Sequence, residues 1–66
     1  MDISTQKGTI VYSRDGKIKG RLTGAYHRCT LEGCRGLHLS VKWNDGKTTR
    51  PCTDGMTWRK RSWRII

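Results

Sequence analysis

The 66-residue chain has no phenylalanine, one proline and only five acidic residues. Each scarcity excludes something. Without phenylalanine, the large core positions fall to three tryptophans and the aliphatic residues. With so few acids, a catalytic carboxylate pair has little to draw on, and no orienting acid stands beside His27 and Cys29 to build a nucleophile. An enzyme is therefore not expected. No apolar run is long enough to span a bilayer as a helix. The opening Met1-Asp2-Ile3-Ser4-Thr5-Gln6-Lys7 lacks the apolar segment of a secretory signal. These absences predict an intracellular, cytoplasmic protein without a membrane partner. There is also no internal repeat, no low-complexity tract and no amphipathic helical pattern. At this length apolar burial barely offsets the entropy of ordering the chain. A metal, a disulfide, a partner or a ligand is expected to complete the fold.

Positive charge is abundant. Fourteen Lys and Arg against five Asp and Glu give a net charge of +9. A field of that sign on a small body favours phosphate polymers, anionic membranes or acidic proteins. The acids are also placed in a particular way. Asp15, Glu32, Asp45 and Asp54 each precede a glycine, and Asp-Gly is turn chemistry. Four of the five acids are thus assigned to turns, which leaves the strand faces nearly free of negative charge.

The chain reads as a loose leader over 1–7 followed by one small β domain over 8–66. Thr9-Ile10-Val11-Tyr12 is β-branched and aromatic, a strand signal. Lys17 to Thr23 alternates, with Ile18 and Leu22 on one face and Lys17, Lys19 and Arg21 on the other. Leu37, Leu39, Val41 and Trp43 alternate with His38, Ser40 and Lys42 in the clearest strand. Asn44-Asp45-Gly46 turns it with glycine in the left-handed position. Lys47 to Arg50 returns, and Pro51 marks an edge. Trp63 to Ile66 reads as a last short strand. About five short strands with glycine-rich turns predict an all-β fold, either a small SH3-like barrel or a curled antiparallel sheet.

The hairpin Val41-Lys42-Trp43-Asn44-Asp45-Gly46-Lys47 resembles the central hairpin of SH3-like barrels of the Tudor and KOW type. The resemblance implies a five-stranded barrel. It also implies a ligand drawn from RNA, DNA, peptides or methylated residues, and fold alone does not choose among them.

Two basic groups are candidate phosphate contacts. One is Lys17, Lys19 and Arg21, about 7 Å apart on one strand face. The other is Trp58-Arg59-Lys60-Arg61-Ser62-Trp63-Arg64, four cations bracketed by two indoles. Arginine pairs bidentately with phosphate, and an exposed indole stacks on an unpaired base. Tryptophan is equally suited to the core of a chain without phenylalanine. A third cluster is Cys29, Cys34, His38 and Cys52, spaced Cys-x4-Cys-x3-His-x13-Cys. Three cysteines and a histidine can form a tetrahedral zinc site. With a three-residue hairpin loop, Cys52 falls opposite His38. Buried free thiols and a disulfide are the competing readings, the latter disfavoured by the odd count and an intracellular setting.

Two functions follow as expectations. The first is nucleic-acid binding, DNA or RNA, through electrostatic phosphate contacts with some aromatic stacking. The second is a protein-interaction module that holds a peptide between Tyr12, Tyr26 and Trp43 or docks on an acidic protein.

Overall fold

The computed structural model describes residues 3–66 of the chain. Met1 and Asp2 lie outside the described residues, and with them the start of the expected leader. Six strands form: β1 (Ile10–Tyr12), β2 (Lys19–Arg28), β3 (Leu37–Trp43), β4 (Thr48–Thr49), β5 (Met56–Arg59) and β6 (Ser62–Ile65). Two short 3-10 helices, Ile3–Thr5 and Thr53–Gly55, precede β1 and β5. The strands pair in the order β4-β3-β2-β1-β6-β5. All neighbours are antiparallel except β1 and β6, which run parallel with Val11 opposite Trp63. The all-β expectation is met by an open sheet. β4 and β5 end the order without pairing, so the sheet does not close into a barrel.

The alternating pattern explains which face is buried. Val11, Leu22, Leu39, Val41 and Met56 form the core, with Leu37, Trp43, Trp63 and Ile65 packed around it. Val11 and Val41 are wholly enclosed. Gly20 lies among these inward residues for a steric reason. A methyl group there would sit 2.8 Å from Val41 Cγ1 and 2.9 Å from Trp43 Cε3. Trp43 packs on the bare backbone and donates its indole N–H to Thr49 Oγ1 at 2.7 Å. Trp63 is likewise half-buried, and its indole N–H donates to the Ser4 carbonyl at 2.7 Å. Just after the expected leader, the Gly8 N–H donates to the Leu22 carbonyl at 2.8 Å.

The β3–β4 hairpin follows its sequence closely. Gly46 has φ +89° and donates to the Trp43 carbonyl, and Trp43 donates to Lys47. That register runs on through Val41–Thr49 to a bridge between His38 and Cys52. Two features depart from expectation. β2 begins at Lys19 rather than Lys17, because Ser13 and Ile18 close a loop first: the Ser13 N–H donates to Ile18 and the Ile18 N–H to Ser13 Oγ. β2 also carries Thr23-Gly24-Ala25 opposite the single residue Ser40, an irregularity between Leu22 and Tyr26. Gly24 takes φ +95° there, and the strand bends beyond it.

Candidate metal centre and cationic face

Beyond its bend, β2 delivers Cys29 to a corner shared with two other segments. The loop after β2 carries Cys34, whose N–H donates to the Leu31 carbonyl at 3.0 Å. The chain that leaves β4 carries Cys52 into the Thr53–Gly55 helix, where the Gly55 N–H returns to the Cys52 carbonyl. The three thiol sulfurs lie within 4.8 Å of one another, close enough to hold a metal ion together. Cys34 Sγ and Cys52 Sγ are 3.6 Å apart, far longer than a disulfide bond. All three cysteines are free thiols. Gly36 makes room for the cluster. A Cβ at that position would lie 2.7 Å from Cys52 Sγ, 2.9 Å from Thr53 Oγ1 and 3.3 Å from the Asp54 carboxyl carbon.

His38 does not join the sulfurs, although it stands opposite Cys52 in the ladder as the hairpin register requires. Its Nδ1 pairs with the Arg50 carbonyl at 2.7 Å. Its ring stacks on His27, directly across from it on β2, with centroids 5.0 Å apart and planes 9° from parallel. The acidic neighbour of the cluster is instead Asp54, whose Oδ2 accepts from Cys34 Sγ at 2.8 Å. That bond is the chief reason the Cys34 thiol titrates above the ordinary thiol range. Ionising the thiol would set two negative charges against each other at that distance, which disfavours the thiolate. Arg28 and Arg35 line a cleft of about 320 Å³ beside Cys29, Cys34 and Gly36.

On the opposite side from the core, the sheet presents cations. Paired residues share a face, so the registers place Lys42 beside Arg21, and Lys19 beside Tyr12 and then Arg64. The next pair outward on the same face as Arg64 is Arg59 with Ser62. Lys19, Arg21, Lys42, Arg59 and Arg64 thus come from four strands, and all are exposed. None of the described acids lies in a strand: Asp15, Glu32 and Asp45 occupy turns and Asp54 a 3-10 helix. Asp15 is kept ionised to lower pH by the Ser13 hydroxyl (2.6 Å) and the Lys17 N–H (3.0 Å), with a smaller effect from Arg64.

The remaining candidates fall elsewhere. Lys17 is exposed in the loop before β2 rather than on the strand face. Lys60 and Arg61 form the two-residue turn of the β5–β6 hairpin, both with positive φ, 50° and 61°. Trp58 and Trp63 pair across that hairpin on the core side and meet edge to face, centroids 5.2 Å apart. Trp58 keeps 36% of its surface exposed, and Trp63 is committed to the core rim. The three aromatics considered for a peptide cage do not converge. Tyr12 shares the cationic face with Lys19, Trp43 pairs with Gly20 on the core side, and Tyr26 lies beyond the bend, 56% exposed.

Lys42 was not among the residues singled out in the sequence. Its alternation with Val41 and Trp43 places it outward, and the signal was the strand period itself. No helix among the described residues is long and apolar enough to cross a membrane. No protein-family model, curated protein or solved structure matches the chain.

Proposed function

We propose that the protein is a small nucleic-acid-binding module that grips phosphates with the outer face of its sheet. The observation that carries this reading is the acid-free cationic face: Lys19, Arg21, Lys42, Arg59 and Arg64 from four strands. The Lys60–Arg61 turn extends it at one end, and Lys17 flanks it in a loop. Strand periodicity spaces Lys19 and Arg21 about 7 Å apart, near the phosphate repeat of a single strand. Tyr12, in the middle of the face, is an exposed ring available for stacking, whereas Trp58 is exposed on the core side of the β5–β6 hairpin. Such a surface favours broad backbone recognition over sequence readout. The hairpin that resembles Tudor- and KOW-type barrels is compatible with the same role.

In the same reading, Cys29, Cys34 and Cys52 hold a structural zinc ion. Soft thiolate donors suit zinc, and binding energy at such a site becomes folding energy in a domain with a small core.

The test is fluorescence anisotropy with labelled DNA and RNA, single- and double-stranded, at 50 and 200 mM salt. Five phosphate contacts to a duplex should weaken affinity roughly 500-fold between those salts. Absence of binding at low salt would instead direct the charge to an acidic protein partner.

A further inference from the structure

The three cysteines leave a tetrahedral metal one ligand short. His38, the donor that sequence spacing suggests, is turned to the Arg50 carbonyl and to the ring of His27. We infer that Asp54 is the fourth ligand, so that Cys29, Cys34, Cys52 and Asp54 form a three-cysteine, one-aspartate centre. This rests on the metal reading of the cysteines and is independent of nucleic-acid binding.

The local fold brings the carboxylate there. Asp54 is two residues beyond Cys52, and the 3-10 turn Thr53–Gly55 swings both side chains toward the bare backbone of Gly36. Between them, the Thr53 hydroxyl is occupied elsewhere, accepting from the Leu37 N–H at 3.0 Å. Asp54 Oδ2 already touches Cys34 Sγ at 2.8 Å.

The distances suit a small adjustment. Zinc bonded to sulfur at ~2.3 Å and to oxygen at ~2.1 Å requires sulfur–sulfur edges of ~3.8 Å and sulfur–oxygen edges of ~3.6 Å. Cys34 and Cys52 stand at 3.6 Å and no sulfur pair exceeds 4.8 Å. Asp54 lies outside the set of mutually close sulfurs, so its carboxylate must open from 2.8 Å at Cys34 and swing toward the other two thiols. When a divalent cation enters, the Cys29, Cys34 and Cys52 thiols each release a proton to solvent, and the three thiolates and the Asp54 carboxylate turn their lone pairs to the metal. The resulting centre carries excess negative charge, which the neighbouring Arg28 and Arg35 guanidiniums offset.

The experiment uses the full chain, purified under reducing conditions. Native mass spectrometry counts bound zinc, and Co²⁺ titration reports coordination through its visible absorption. The wild type should take one ion per chain with a tetrahedral Co²⁺ spectrum. Asp54→Asn should bind at least tenfold more weakly and lose tetrahedral intensity. His38→Ala should leave both unchanged. Asp54→Cys should restore tight binding with a stronger sulfur-to-metal charge-transfer band, which keeps the test decisive if Asp54→Asn folds poorly. If the wild type binds and Asp54→Asn matches it in affinity and spectrum, Asp54 is not a ligand while the cysteine site stands. Loss of binding in His38→Ala alone would give the fourth position to histidine. A wild type that binds no metal overturns the cysteine reading, and the aspartate with it.

Discussion

The sheet body and the cysteine corner are held by different forces. In the body, Val11, Leu22, Leu39 and Val41 stack inward from three adjacent strands and exclude water. In the corner, between Cys29 and Gly36, Leu31 faces solvent at 71% exposure and Cys29 is the only buried side chain. Order there comes from a few backbone bonds, the Gly36 contact and polar links among Cys34, Cys52 and Asp54. Apolar burial therefore fixes the body with or without a ligand. The corner has little apolar burial of its own and is the part that a bound metal would stabilise most.

Substitutions can break that comparison. The largest effect is expected from Leu39→Ala. Removing a side chain only 1% exposed should cost about 2–5 kcal/mol. In a domain this small that approaches the whole stability. Chemical denaturation should show the loss equally with and without a chelator.

A glycine pair separates the two regions more sharply. In Gly20→Ala the new methyl meets Val41, Trp43 and the Lys42 carbonyl at 2.8 to 3.0 Å. Overpacking of that kind costs about 1–3 kcal/mol, again independently of metal. Gly36→Ala pushes on Cys52, Thr53 and Asp54 instead. It should lower the stability of the chelated form as well, and also remove most of any gain in stability that zinc confers. Thermal melts of both variants in both states are the measurement. Equal chelator sensitivity in the two would erase the distinction between body and corner.

The β5–β6 turn should respond in the opposite direction. Lys60 and Arg61 occupy left-handed backbone that Asn-Gly accepts far more readily. Lys60→Asn/Arg61→Gly should stabilise the protein by roughly 1–2 kcal/mol. If both cations contact phosphate, it should also lower the salt slope of nucleic-acid binding by about 2. A rise in stability with an unchanged slope would remove the turn from the binding face. Local strain of this kind is common where function overrides backbone preference.

The smallest effect is electrostatic. Asp15 has a lowered carboxyl pKa in the folded state because Ser13 and Lys17 donate to it. It therefore contributes stability above the unfolded value near 3.9, and that contribution disappears as pH falls through the folded pKa. NMR titration of Ser13→Ala should move the Asp15 pKa upward, since the largest cause is then gone.

The parts of the fold legible in the sequence are those set by short-range rules. The Asn44-Asp45-Gly46 loop fixes the register as far as His38 and Cys52, a relation read from spacing and found in the ladder. β5 was hidden because its turn uses Lys60 and Arg61 rather than glycine or asparagine, so no turn signal separates it from β6. The parallel pairing of β1 with β6 is non-local, and no spacing rule announces it. At the candidate metal centre, the three cysteines are legible and their geometry is not. Standing opposite Cys52 is not the same as pointing at its sulfur, and the Arg50 carbonyl claims His38. The Asp54–Cys34 contact is not legible either, because Asp-Gly already has a sufficient explanation as a turn.

The parallel seam between β1 and β6 also bears on how the molecule reaches this state. Every other strand pair joins segments adjacent in the chain, and β5–β6 or β3–β4 can form early as local hairpins. The seam must bring Val11 to Trp63, and closing that loop gives no reward until the intervening strands are in place. Refolding should therefore be limited by this one closure. Substitutions that weaken the β5–β6 hairpin should then slow folding more than they speed unfolding.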